Sequence, residues 1–115
     1  MAERDDAAAA AGEWLALLDA GEYQACWEGG SSLMRTAVSP GQLAKTVRSA
    51  LEPMGAPQSR SLDGADYHET LPGAPDGRYW VMRFAARYAR KQAATETVTA
   101  SWDGDAWRVS GYFIS

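Results

Sequence analysis

Two hydrophobic periods divide the chain. From Ala7 to Leu18, the residues Ala7, Ala11, Trp14, Leu15 and Leu18 recur at three-to-four spacing and predict one amphipathic helix. Gly21, just past the stripe, predicts its end. Tyr23 and Trp27 lie four apart, which predicts a second short helix from Glu22 to Glu28, stopped by Gly29-Gly30. Ser31 to Ala37 reads as a further helical turn. Ser39-Pro40-Gly41-Gln42 is the strongest local signal: serine at the N-cap, proline at the first helical position and glutamine at the third form a capping box. Leu43, Val47 and Leu51 then line one face of a helix that ends before Pro53 or at Gly55, with Lys45 and Arg48 toward solvent.

From Ser59 onward the period drops to two. Ser59 to Thr70 predicts a strand with a bulge at Gly64, and Leu71 to Gly77 is dense enough in turn residues to be a loop. Tyr79 to Ala89 is the clearest strand, with Trp80, Met82, Phe84, Ala86 and Tyr88 on one side and Arg83, Ala85 and Arg87 on the other. A bulge near Arg90-Lys91 would flip its parity against the next strand. Thr95 to Trp102 and Trp107 to Ile114 form a hairpin around an Asp-Gly turn, and an even loop keeps Trp102 and Trp107 on one face. Alternation from there places Glu96, Val98, Ala100, Val109, Gly111 and Phe113 on the inner face. Thr95, Thr97, Thr99, Ser101, Arg108, Ser110, Tyr112 and Ile114 fall on the outer face. Helices followed by four short-looped strands predict an α+β fold, with N-terminal helices packed on one face of a curved four-stranded antiparallel sheet. The expected division is one domain: residues 1–6 a flexible tail, 7–55 helical and 59–114 the sheet.

Composition narrows the partners. A chain of 115 residues with five tryptophans can bury a single core and is not disordered in composition. A net charge of −4 argues against bulk nucleic-acid or anionic-membrane binding, which needs a basic footprint. Yet residues 1–30 hold seven acids against one base, while Arg78, Arg83, Arg87, Arg90 and Lys91 gather without an acid among them. They form either an anion-friendly patch or a set of partners for the helix acids. The longest apolar stretch, Ala7 to Ala20, is interrupted by Gly12, Glu13 and Asp19, so no transmembrane segment is read. MAERDD lacks an apolar run and reads as no signal peptide; a start placed after a removed leader would look the same.

Three stretches carry a family resemblance: EWLALLDAGEYQACW, LMRTAVSPGQLAKTVRSALEPMGAPQSR and LPGAPDGRYWVMRFAARYARKQAATETVTASWDGDAWRVSGYFI. Over nearly its whole length the chain resembles the bacterial family catalogued as domain of unknown function 4019, through phrases such as LPGAPDG, ETVT and W-R-V-x-G-Y. Gly29-Gly30 departs from the small helix formers expected there. The resemblance implies a cystatin-like or NTF2-like roll, periplasmic or secreted after leader removal, with no assigned activity. Such folds host enzymes, ligand binders and dimerisation modules alike.

The chemical candidates are few. His68, the only histidine, sits in Asp66-Tyr67-His68-Glu69, whose neighbours point to opposite faces of a strand and build no dyad. Cys26 has no Cys-x-x-Cys partner and reads as a small hydrophobe, and no metal or cofactor site is expected. Glu96 is the one carboxylate that alternation turns inward, with Tyr88 and Tyr23 as pocket neighbours. Arg83, Arg87, Arg108 and Tyr112, with Thr97 and Thr99, form an outward platform suited to a protein partner or a homodimer. The leading expectation is a non-enzymatic cell-envelope interaction domain using the outer sheet face or the 71–77 loop. The alternatives are a small-molecule pocket or acid/base enzyme around Glu96, and an inhibitor or immunity-type protein for a secreted partner.

Overall fold

The computed structural model describes residues 2–115. Four helices, α1 (Ala2–Asp19), α2 (Tyr23–Glu28), α3 (Ser32–Ala37) and α4 (Pro40–Leu51), precede a 3-10 turn at Glu52–Met54. Four strands follow: β1 (Pro57–His68), β2 (Tyr79–Tyr88), β3 (Lys91–Trp102) and β4 (Trp107–Ile114). They form one antiparallel sheet in the order β1-β2-β3-β4, so β1 and β4 are its edges.

The predicted helix stripe is what α1 buries. Ala7, Ala11, Trp14, Leu15 and Leu18 join Met82, Phe84, Val98, Ala100, Trp107 and Val109 of the sheet in one core. The alanines leave no side-chain bulk between helix and strands, so the two surfaces can meet closely. α1 takes in residues 2–6, which the sequence reading gave to a tail, and Glu3 in its first turn pairs with Arg78. It ends at Asp19, and the chain turns at Gly21, whose φ of 74° only glycine adopts freely; Glu22 N–H then reaches Leu17 O at 2.9 Å and Gly21 N–H reaches Leu18 O at 3.0 Å. Trp14 Nε1 donates to Cys26 O at 2.9 Å and fastens α2 to α1.

The capping box forms as predicted. Ser39 Oγ accepts from Gln42 N–H at 3.2 Å, and Gln42 Oε1 accepts from Ser39 N–H at 2.8 Å. Leu43 and Val47 are buried, and Lys45 and Arg48 are exposed. Ser31 caps α3 through Met34 N–H at 3.2 Å. Between α2 and α3, Gly30 runs alongside Val109 as a short parallel bridge, and Ser31 N–H donates to Val109 O at 2.9 Å. The first half of the β4 edge is therefore covered.

Alternation holds through β2 and most of β3: Met82, Phe84, Ala86, Tyr88, Val98 and Ala100 are buried, and Met82 pairs with Val98. Parity survives because the irregularity falls between Ala86 and Tyr88, at the far end of the pairing. The β1 register breaks between Leu62 and Gly64, next to the expected bulge.

In β4 the expectation fails. Thr99 pairs with Gly111 but Ala100 pairs with Val109, so Ser110 is an extra residue on β4. A bulge of one residue flips every side chain beyond it. Tyr112 and Ile114, expected outside, turn inward opposite Val98 and Glu96, and Phe113, expected in the core, points out and is 63% exposed. Trp102, also expected in the core, lies at the sheet corner, 39% exposed, with its ring against Trp107 and Arg78.

Candidate functional site

Glu96 faces inward and is fully buried. Its partner is Arg60, which pairs with Ala86 on β2, itself opposite Ala94 on β3. These two alanines leave room for the guanidinium to cross β2. Arg60 Nε donates to Glu96 Oε1 at 2.6 Å, while its two terminal nitrogens grip Asp19 at 2.8 and 2.9 Å. Asp19 closes the C-terminal end of α1, where the helix dipole disfavours an acid, so the cation on it offsets that penalty. One arginine thus ties β1, β3 and α1 together.

Two tyrosines complete the cluster. Tyr88 Oη donates to Glu96 Oε2 at 2.8 Å and accepts from Arg60 Nη2 at 3.2 Å; Tyr112 Oη also donates to Oε2. Burial, then the adjacent carboxylate, pushes the Tyr88 phenol up to about 12 and drives Tyr112 higher still. Burial works against the Arg60 charge, but the hydrogen bonds to Asp19 and Glu96 outweigh it and hold the guanidinium firmly protonated.

Chemically the cluster is closed. A general base needs an oxygen within reach of a substrate proton. The oxygens of Glu96 take three donors from the protein, and both phenols keep their protons through the neutral range. A cleft of about 480 Å³ between the end of α1, α4 and β2 reaches Tyr88 but stops short of Glu96. Tyr23 stands in the wall of that cleft under the Arg48 guanidinium, 5.4 Å from its carbon, and does not join the cluster. Of the three pocket candidates Glu96, Tyr88 and Tyr23, the structure brings Glu96 and Tyr88 together. The sequence reading missed Arg60 and Asp19, and the bulge hid Tyr112. The inward parity of Arg60 relative to Leu62 was the one available signal for the arginine.

The outer-face arginines do not form one patch. Arg83 stands level with Thr97 and Phe113, whereas Arg108 is level with Ser101 and Tyr79, four residues along the sheet. Each arginine is engaged within the chain: Arg83 with Asp66 at 2.9 Å, Arg87 with Gln92 at 3.0 Å, and Arg108 with Asp105 at 2.7 Å and Asp103 at 3.1 Å. The Arg83 guanidinium lies over Gly64, where a Cβ would stand 2.5 Å from its Nη2. Tyr112, the fourth member of the expected platform, is the inner-face residue described above. Hydrogen bonding to Ser32 holds the Asp103 carboxyl below its ordinary range, and pairing with Arg108 holds Asp105 down likewise.

The 71–77 loop folds onto the outer face rather than standing away from it. Tyr79 Oη donates to Pro75 O at 2.5 Å and Gly77 N–H donates to Glu69 O at 2.9 Å, and Tyr79 and Ser101 are buried. Opposite the loop, α3 is fastened by Ser31 Oγ to Ser110 Oγ at 2.7 Å and by Ser32 Oγ to Asp103 at 2.6 Å. Between them runs a groove of about 490 Å³, walled by Leu33, Ala37, Leu71, Pro72 and Pro75 and floored by Thr99 and Gly111. No acidic or basic side chain lines it.

His68 is exposed at the end of β1. Cys26 is a buried free thiol, pushed up to about 11 by burial and then by Asp19 and Glu22, which leaves it protonated and poorly nucleophilic. Among the described residues no three His, Cys, Asp or Glu side chains gather as a metal site, and no helix is long and apolar enough to cross a membrane.

Residues 10–112 match the family described as "Protein of unknown function (DUF4019)". No curated protein and no solved structure matches the chain.

Proposed function

The chain belongs to the DUF4019 family, and on that premise we propose that it is a non-enzymatic interaction domain whose outer groove takes a polypeptide partner. The observation that carries this is the groove between α3 and the 71–77 loop: apolar, uncharged and held open by the chain's own hydrogen bonds. A preformed wall needs little ordering on binding, so less of the contact energy is lost to entropy. The occupant that fits is an uncharged apolar side chain presented by an extended segment or loop of another protein. The cell-envelope location implied by the family resemblance goes with this proposal, and fractionation of the native host checks it.

The test places a photo-crosslinking residue at Leu33, with a control at Lys45 on the exposed face of α4, in the native host. A groove partner crosslinks from position 33 and not from 45. Gly111→Phe then fills the groove; a Cβ there meets Thr99 Cβ at 3.9 Å, an ordinary contact, and the ring extends from it into the groove that Gly111 floors. Binding of the purified partner should fall at least about tenfold, a loss of about 1.4 kcal/mol, with the melting temperature unchanged. Equal affinity for wild type and Gly111→Phe overturns the proposal.

A second reading rests on the cleft at Tyr23, Arg48 and Tyr88, whose volume suits a small molecule. A ligand there would shift the Tyr23 ring resonances and leave those of Thr99 and Gly111 in place.

A further inference from the structure

The two edges of the sheet are built differently. β1 starts at Pro57, breaks register at two places and carries Asp63 and Asp66, features that discourage pairing with another strand. β4 beyond its bulge at Ser110 has none of these. From Ser110 to Ser115 it holds no charged side chain and no proline, and it carries Phe113, the most exposed large hydrophobic side chain among the described residues.

The hydrogen-bond phase of β4 decides what this edge offers. Thr95 and Ser115 exchange both backbone bonds, at 3.0 and 2.9 Å. In an antiparallel ladder such pairs alternate with pairs whose N–H and C=O groups point away from each other. Thr97–Phe113 is therefore bonded, while Val98–Tyr112 and Glu96–Ile114 are not. The N–H and C=O groups of Tyr112 and Ile114 consequently point out of the sheet along the open edge, and no partner takes them among the described residues. Beside them lies an apolar groove of about 360 Å³, bounded by α4 residues Leu43, Val47 and Ala50.

We propose that this edge pairs with a second copy of itself, β4 against β4, across a twofold axis at Phe113. The occupant is chosen by self-complementarity. Antiparallel pairing centred there sets Tyr112 opposite Ile114 of the second copy and Ile114 opposite its Tyr112. Each is a bonded pair, so all four outward groups on each chain are satisfied. The same register brings the two Phe113 side chains together on the outer face as a close non-bonded pair, the geometry in which cross-strand aromatics interact best. Ile114 of each copy faces the apolar groove of the other. Shifting the register by one residue loses both the hydrogen bonds and the aromatic pair. The edge groove adjoins the outer groove and shares Ala37, Ser110 and Gly111 with it, but the pairing residues Tyr112, Phe113 and Ile114 do not line the outer groove, so the dimer does not depend on the proposed polypeptide partner.

The experiment is sedimentation velocity of the whole chain over a concentration series into the millimolar range, paired with amide exchange at its two ends. The apparent mass of wild type should climb from 12.4 kDa toward twice that value, with protection of the Tyr112 and Ile114 amides rising in step and that of Phe113 constant. Phe113→Lys puts two like charges on the axis at a position without core contacts, so it should stay monomeric with an unchanged melting temperature; Phe113→Trp should still dimerise. A wild type that remains monomeric throughout overturns the proposal. So does a dimer in which the Tyr112 and Ile114 amides exchange freely, or one that Phe113→Lys leaves intact.

Discussion

The inner cluster around Glu96 and the ion pairs of the outer sheet face use the same chemistry, arginine against carboxylate, in opposite settings. Arg60 holds Glu96 where the carboxylate has no exposure at all, whereas Arg83 and Asp66 keep side-chain exposures of 43% and 57%. Water screens the outer pair and would solvate either partner left alone. Glu96 is out of contact with water, and removing Arg60 leaves it an uncompensated buried charge. The difference teaches that sequence clustering of arginines is a poor guide to which arginine matters: the group from Arg78 to Arg90 lies on the surface or near it, while the solitary Arg60 holds the fold together.

The sharpest way to break this contrast is Arg60→Met. It strands a buried carboxylate and frees Asp19 at the end of α1, and should cost about 3–5 kcal/mol in urea unfolding. Tyr112→Phe removes one donor from Glu96 and should cost roughly 1–2 kcal/mol. Ser31→Ala removes the α3 cap and its bond to Ser110, for about 1 kcal/mol. On the outer face Arg83→Gln should change stability by less than about 0.5 kcal/mol. If it matched Arg60→Met, the distinction between the two settings would collapse.

Alkaline titration sharpens the same comparison from the tyrosine side. An unfolded tyrosine loses its proton near 10, whereas Tyr88 keeps it to about 12 in the fold. Between those values the native state binds more protons, so its stability is complete below pH 10 and declines as pH rises toward 12. Other groups titrate in this window too, so the measurement is the difference between wild type and Tyr88→Phe. The wild type should lose more stability over the window.

Much of the fold was legible because local signals agreed with one another. The α1 stripe, the Ser39 capping box, the Gly21 stop and the alternation of β2 each rest on residues within one turn or one strand, and all four appear as read. What stayed hidden depended on contacts across the chain. Nothing in SWDGDAWRVSGYFIS announces that Ser110 is extra; its hydroxyl is taken up by Ser31 and Ser101, residues far away in sequence or on the neighbouring strand. That single bulge moved Tyr112 from the expected platform to the buried cluster and Phe113 from the expected core to the surface. Arg60 was hidden for the same reason, since its two carboxylates come from α1 and β3. Glu96 was found because alternation alone turns it inward.

Glu96 is a buried ion that depends on Arg60. Glu96→Gln removes its charge but keeps an oxygen for the two tyrosines, so its effect should reverse sign with background. Urea unfolding near pH 7 of wild type, Glu96→Gln, Arg60→Met and the double variant tests this directly. Glu96→Gln should destabilise the wild type and stabilise Arg60→Met. If the substitution destabilises both backgrounds equally, Arg60 and Glu96 act independently and the buried cluster is not the tie described.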